Sequence, residues 1–460
     1  MYKNVSSPLG TAPIGKLMLK LALPTVVAQI VNLLYNIVDR IYIGHIEGVG
    51  ADALTGVGLC LPMIMMMNAF AMLGASGGAP RAAIALGQGR KDEAEKILGN
   101  CSTMLLIFSA MITVAFLLFA EPLLRLFGAS DATLPYALAY MNIYSCGSVF
   151  VLLVLGLNTF LTAQGFSNFA MITTLIGAII NLILDPVLIF GFGMGVEGAA
   201  IATVISQAVG SLWVLWFLVK GKKTILRLRL ASMSLIGRVV GPCLALGVSG
   251  FVMMATESFL NISFNASLQE FGGDIAVGSM TIISSCMQLA LMPASGICQG
   301  CQPIISYNFG AGNTDRVKAC FKRQLLLCGG YTTAFWALSM LFPQILVKIF
   351  NSDPALVEHT IWTMRVYMAG IFAMGFQVTC QQCFMALGQA KVSLLLACLR
   401  KLILLIPLIF ILPLFIENKV FAVFLAEPVS DILAATVTVT VFATRFNTIL
   451  KNGPTQIGKE

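Results

Sequence analysis

GGAPRAAIALGQGRKD, from Gly77 to Asp92, and GCQPIISYNFGAGNTD, from Gly300 to Asp315, share few letters but share them in register. Gly77 meets Gly300, Pro80 meets Pro303, Gly87 and Gly89 meet Gly310 and Gly312, and Asp92 meets Asp315, always at an offset of 223 residues. The offset holds far beyond this stretch. Leu21-Ala22-Leu23 meets Leu244-Ala245-Leu246, Gly50 meets Gly273, Phe127 meets Phe350, Tyr144 meets Tyr367, Gly147 meets Gly370 and Gly165 meets Gly388. One ungapped register of that length marks two copies of a single structural unit, and the fold follows from what each copy contains.

Each copy is greasy. The 460 residues are 58% hydrophobic and 10% charged, whereas a soluble domain is about 45 to 50% apolar and about 25% charged. Apolar stretches of roughly 20 residues, each long enough to cross a hydrocarbon core of about 30 Å as a helix, recur twelve times. They run over about 17–40, 53–79, 97–120, 133–162, 169–192, 196–219, 235–268, 275–300, 320–345, 356–386, 392–416 and 420–445. Six spans per copy is an even number, so both copies enter the membrane in the same sense, a parallel repeat about an axis along the membrane normal. The expectation is an all-α polytopic membrane protein with twelve transmembrane helices. It divides into lobes at 1–219 and 239–460, joined by a basic cytoplasmic linker at 220–238. The first sixteen residues lack the apolar core and cleavage site of a signal peptide, so the first span is expected to stay as a membrane helix.

Charge gives the orientation. With the amino terminus inside, segments assigned to the cytoplasm hold 23 of the 28 Lys and Arg, including three between Lys391 and Lys401. Only Arg40, Arg125, Lys348, Arg365 and Lys419 fall elsewhere. The positive-inside rule then puts both termini in the cytoplasm of a multi-pass protein of the cell (inner) membrane. It also accounts for the net charge of +8 without a nucleic-acid partner. The pairs Cys298/Cys301 and Cys380/Cys383 have the spacing of redox or zinc sites, but they lie in apolar spans with no His nearby, where Cys packs as a small hydrophobe. No P-loop, nucleophile elbow, metal-ligand cluster or dinucleotide fingerprint occurs, so the chain is expected to be neither an enzyme nor a metal protein.

Polar residues inside the spans are the candidates for function, because a charge at the centre of a spanning helix costs about 2.5 to 3.5 kcal/mol. In QIVNLLYNIVDRIYIG, Gln29, Asn32, Asn36 and Asp39 fall on one helical face, with Tyr35 beside them. Asp39 and Arg40 can also be read as merely reaching for headgroups. In NLILDP, Asn181 and Asp185 share a face, and Pro186 leaves the carbonyl of Leu182 without its donor. Glu257, Asn261 and Asn265 form a stripe in the seventh span, and Glu427 and Asp431 lie four apart in the twelfth. The last pair reads more readily as structural. Asp39 aligns with Ile262, Asp185 with Leu408 and Glu257 with Leu34, so the copies share a frame and differ in chemistry. Met66, with Met63, Met65, Met67 and Met72, offers either an adaptable surface for hydrophobic ligands or ordinary packing.

These stretches together resemble the multidrug and toxic compound extrusion (MATE) family, in its prokaryotic MepA/DinF-like branch. The likeness rests on LALPTVVAQIVNLLYNIVDRIYIG, the GQGRKDEA and FGAGNTDR loops, FLTAQG, NLILDPVLIFGFGMGVEGAAIAT and EPVSDIL, in this order and spacing. It implies twelve-helix antiporters that expel cationic or hydrophobic small molecules against an inward proton or sodium flow, with no cofactor. By residue, it implies Asp39, Asn181, Asp185 and Thr203 as ion-coupling positions, with Tyr140, or else Tyr144, as the tyrosine of the same cluster. A sodium-coupled relative would carry a second acid on the tenth helix, where this chain has Gln377, Gln381 and Gln382. Protons are therefore the expected coupling ion. Substrate-cavity candidates are Gln29, Asn32, Tyr35, Asn36, Met66, Glu257, Asn261 and Asn265. The partners expected are small molecules and membrane lipids, and the chain is expected to act as a monomer. The rival readings are a lipid or lipid-linked sugar flippase, which would want a basic groove and finds only Arg40 as an in-membrane base, and a non-transporting receptor or channel.

Overall fold

The computed structural model describes residues 7–350 and 353–454, and among these every regular element is a helix. The basic residues Lys3 and Lys459, counted above toward the termini, lie outside the described residues. Six helices make the first copy: α1 (Ile14–Gly44), α2 (Asp52–Gly87), α3 (Lys91–Leu126), α4 (Leu134–Cys146 with Ser148–Ala163, bent 57° at Gly147), α5 (Ser167–Gly191) and α6 (Gly195–Lys220). The continuous run Gly237–Gly310 breaks at Gly273, whose φ of 62° and ψ of −159° end one helix and begin the next. It therefore supplies α7 (237–272) and α8 (274–310). α9 (Thr314–Leu341) turns sharply into Pro343–Phe350, α10 combines Pro354–Tyr367 with Ile371–Ala386, and α11 (Ala390–Phe415) and α12 (Lys419–Asn452) complete twelve spans. Helices are the economical way through lipid, because each satisfies its own backbone hydrogen bonds. Leu118, Phe119, Leu414 and Phe415 stand well exposed on the outside of the spans, as residues that meet acyl chains must.

The chain forms two compact units, Leu23–Met254, and the residues up to Ala22 together with Ala255–Pro454. They differ from the expected lobes in two segments. The first part of α1 belongs with the second copy, and the first part of α7 belongs with the first. The repeated glycine explains the exchange. A side chain on Gly77 of α2 would collide with the Cys243 carbonyl and the Gly247 amide of α7, and one on Gly300 of α8 would collide with the backbone of Leu21 and Ala22 of α1. Each copy thus receives the opening of the other's first helix at the same glycine, where small residues let helix backbones approach.

The chain leading into each exchanged segment follows it. Asn308 Nδ2 donates to the Leu9 carbonyl at 2.9 Å and Arg316 Nη2 to the Ala12 carbonyl at 2.7 Å. In the other unit, residues 220–238 lie as a strap rather than a free linker. Gln164 Oε1 accepts from the Ile225 and Leu226 amides at 2.9 Å each, Asn100 Oδ1 accepts from the Ile236 amide at 2.7 Å, and Thr103 Oγ1 donates to the Met233 carbonyl at 2.6 Å. Gly89 and Gly312, aligned in the repeat, have φ of 76° and 74° in the turns after α2 and α8, a region that residues with a Cβ rarely adopt.

Candidate functional site

α5 and α11 each contain a widened, π-helical stretch, and each brings charge to it. In α5, Pro186 cannot donate a backbone hydrogen bond, and the turns that follow, Val187–Gly191, open so that the Phe192 amide reaches back to the Val187 carbonyl at 2.9 Å. Such insertions re-aim the side chains beside them. Asp185, just before the proline, is fully buried, and so is Asn181 one turn earlier.

Asp185 belongs to a polar cluster of the unit Leu23–Met254. Asn181 Nδ2 donates to Asp185 Oδ1 at 3.1 Å and to Thr203 Oγ1 at 3.3 Å, while the Thr203 hydroxyl donates to the Ala199 carbonyl at 3.0 Å. From α1, Asp39 faces Asp185, close enough for the two carboxyls to share a hydrogen bond. Asp39 Oδ1 and Asp185 Oδ2 are otherwise buried without a hydrogen-bond partner. Two carboxylates are both acceptors, so such a contact is satisfied only when a proton lies between them. Tyr140 and Tyr144 of α4, stacked at 5.7 Å, are buried beside Asp39, and Tyr35, in contact with Gln207 of α6, completes the surround.

This structure therefore brings together Asp39, Asp185, Asn181, Tyr140 and Thr203, and both tyrosines left open in the sequence lie there. Sequence reasoning missed Gln207, whose only signal is its position four residues after Thr203 on the same helix. Arg40 is exposed, and among the described residues no ion pair joins it to either acid. Gln29, Asn32 and Tyr35 are part-exposed, and exposed Asn36 donates to the Asn32 carbonyl at 2.6 Å. Met66 is half-buried against the hydrophobic core that encloses Met63 and Met67.

The other unit holds a cluster of different composition. Two of the basic residues assigned to a cytoplasmic loop, Arg400 and Lys401, lie inside α11, in the widened stretch Leu399–Leu405 that ends two residues before Pro407. This corrects the loop assignment and the view that Arg40 is the only base within the spans. The span 392–416 already contained both residues, and a positive-inside count pulls any base near a helix end into the loop. Arg400 Nε donates to Asp431 Oδ1 and Arg400 Nη2 to Glu427 Oε1, each at 2.8 Å, and Ser430 Oγ donates to the Arg400 carbonyl at 2.9 Å. Lys401 pairs with Glu257 of α7. Tyr367, the repeat counterpart of Tyr144, is buried next to these charges. Glu257, Asn261 and Asn265 stand exposed along α7.

Gln377 and Gln381 are buried and bonded to each other at 3.4 Å. Cys298, Cys301, Cys380 and Cys383 are buried free thiols, and among the described residues no group of three or more His, Cys, Asp or Glu is placed to hold a metal ion.

Comparison with known proteins matches two stretches, residues 24–187 and 250–411, to the MatE family model. The chain is similar to the multidrug export protein MepA of Staphylococcus aureus (strain NCTC 8325 / PS 47), at 26% identity over 404 residues covering 87% of this chain and 88% of that one. It is also similar to MepA of Staphylococcus haemolyticus (strain JCSC1435), at 25% identity with 92% of each chain covered. Among solved structures, an outward-facing multidrug resistance MATE family transporter of the MOP superfamily superposes with a TM-score of 0.89 at 22% identity, over 96% of this chain and 98% of that one. A MOP superfamily transporter from Pyrococcus furiosus Vc1 gives a TM-score of 0.89 at 23% identity over the same shares.

Proposed function

The chain belongs to the MatE family, a membrane transporter of the twelve-helix MATE fold, and on that premise we propose that it exports cationic or hydrophobic small molecules in exchange for protons. The observation that carries the reading is the pair of facing carboxyls, Asp39 and Asp185, with no ion-pair partner among the described residues. A proton and a cationic substrate satisfy the same two oxygens, so each excludes the other, and that competition is what exchange requires. Asn181, itself held by Thr203, keeps Asp185 in place, while the tyrosines keep the pair out of bulk water. Proton entry at Asp39 from the outer side releases the substrate there, and proton loss to the cytoplasm restores the site. A membrane potential of about 100 mV supplies roughly 2.3 kcal/mol per elementary charge moved, close to a fifty-fold concentration ratio at about 1.4 kcal/mol per tenfold.

The flippase reading gains two in-membrane bases from the structure, but both are spoken for. Arg400 is held by two carboxylates and Lys401 by Glu257, so neither base is left over for a phosphate. The deciding experiment is ethidium efflux from proteoliposomes under an imposed proton gradient and, separately, a sodium gradient. The native protein is expected to respond to protons alone, and Asp39→Asn to lose about 100-fold or more of the proton-driven rate, the order of a lost coupling charge. Full activity in Asp39→Asn would refute the coupling role, and sodium-driven efflux would reassign the ion.

A further inference from the structure

The strap that joins the copies, residues 220–238, carries Lys220, Lys222, Lys223, Arg227, Arg229 and Arg238 and no acid, and all of these bases are exposed. The alternation in ILRLRL, Ile225 to Leu230, shows how the strap faces. Arg229 has extended dihedrals, φ −119° and ψ 140°, and side chains alternate along an extended chain. Leu226 is fully buried and Leu228 packs against the hydrophobic core of this unit, which turns Arg227 and Arg229 outward. The short turn Leu230–Ser232 then lifts Leu230 to 88% exposure, with Leu235 at 51%. Buried Glu95 holds the strap from beneath, accepting from the Arg227 amide at 3.2 Å and pairing with Arg229 Nε at 3.5 Å.

The depth of the strap decides what it touches. Met233 is tied to Thr103 and Ile236 to Asn100, and Asn100 lies about 14 Å along α3 from its start at Lys91. The apolar spans of α3, α6 and α7 end on this side at about residues 97, 219 and 235, so Leu230 and Leu235 sit where headgroups give way to acyl chains. Exposed leucines among exposed bases at that level supply both halves of an interfacial contact. We infer that residues 220–238 form a binding site for anionic phospholipid, with Arg227, Arg229 and Arg238 against headgroup phosphates and Leu230 and Leu235 in the acyl layer. Each base near an anionic surface strengthens the attraction about fivefold, whereas a zwitterionic headgroup also brings an ammonium that the same bases repel. The surface lies wholly in the unit Leu23–Met254. It shares no residue with the pair Asp39 and Asp185, so it does not depend on the export reading.

Its test places the full-length protein in phosphatidylcholine vesicles doped with brominated phosphatidylglycerol or, separately, with brominated phosphatidylcholine. The readout is quenching of a tryptophan introduced by Leu230→Trp, with the native protein as the blank for Trp213, Trp216, Trp336 and Trp362. Leu235→Trp is the second reporter should the first not fold. Relative affinity is expected to favour phosphatidylglycerol by about tenfold or more, and Arg227→Gln with Arg238→Gln to reduce that preference about fivefold or more. High salt, which screens exposed charge, is expected to reduce it as well. Equal quenching by the two lipids would leave an apolar contact without headgroup recognition and refute the site. Quenching by neither would put the strap in water and refute it also, and a preference unchanged by the loss of both arginines would overturn the assignment of the phosphate contacts.

Discussion

The two units carry polar clusters in one frame and fill them with opposite chemistry. Tyr144 and Tyr367, partners in the repeat, stand in both, and both clusters border a widened helical stretch next to a proline. In the first, two acids from α1 and α5 meet with no base between them. In the second, acids from α7 and α12 are held by two bases from α11. The repeat positions of Arg400 and Lys401 in the first copy are Gly177 and Ala178, and a side chain on Gly177 would find nothing closer than the Ser206 carbonyl at 3.8 Å. A Cβ would fit at Gly177, and the first copy carries no base at either position. The difference separates a pair of acids with no ion-pair partner among the described residues from acids held in ion pairs, and a buried ion pair such as Arg400 with Asp431 resists losing either member.

Breaking the locked cluster is expected to have the largest effect. Arg400→Met strands Glu427 and Asp431, both buried, and is expected to cost about 3 to 5 kcal/mol of stability, read as a large fall in the thermal unfolding midpoint in detergent. Asp185→Asn removes an acid that makes no ion pair among the described residues and is expected to change stability by less than about 1 kcal/mol while abolishing exchange. A harmless Arg400→Met, or an Asp185→Asn that unfolds the protein, would erase the distinction between the units.

Next in size is the exchange of helix openings. Gly77→Ala and Gly300→Ala each place a methyl group against backbone, and overpacking of this kind costs about 1 to 3 kcal/mol. The two are expected to be alike, since the glycines do the same work in each copy. A marked asymmetry in the unfolding midpoints of the two variants would mean that the exchanged contacts are not equivalent.

The frame was legible because membrane spans are written in composition and the repeat in glycines, and glycine positions are set by backbone geometry that side-chain chemistry cannot disguise. All twelve expected spans coincide with a helix, and α2 and α8 run on to Gly87 and Gly310 where 79 and 300 were expected. The exchange at Ala22 and Met254 was not legible, because a close backbone approach leaves the glycine on one helix and no mark on its partner. At the site, Asp39, Asn181 and Asp185 were visible as acids and amides out of place among apolar residues. Tyr140 and Thr203 came only with the family resemblance, since a Tyr or Thr in a span costs too little to stand out. Arg400 and Lys401 were visible in the letters and lost to the charge rule, which treats a base near a helix end as evidence of a loop.

The smallest expected effect is graded rather than all-or-none. If a proton and an organic cation compete for Asp39 and Asp185, ethidium affinity must fall as pH is lowered, because protonation removes the charge that attracts the dye. Release of one proton per dye bound sets a ceiling of about tenfold in affinity per pH unit, equivalent to about 1.4 kcal/mol. Asp39→Asn is expected to flatten that dependence. Glu257→Gln is expected to keep it, since the cluster around Glu257 is compensated by Lys401 and Arg400 rather than by solvent protons. Titration of ethidium binding against pH in the three forms assigns the proton to one unit. A slope that disappears in Glu257→Gln and survives in Asp39→Asn would move the coupling site to the other half of the molecule.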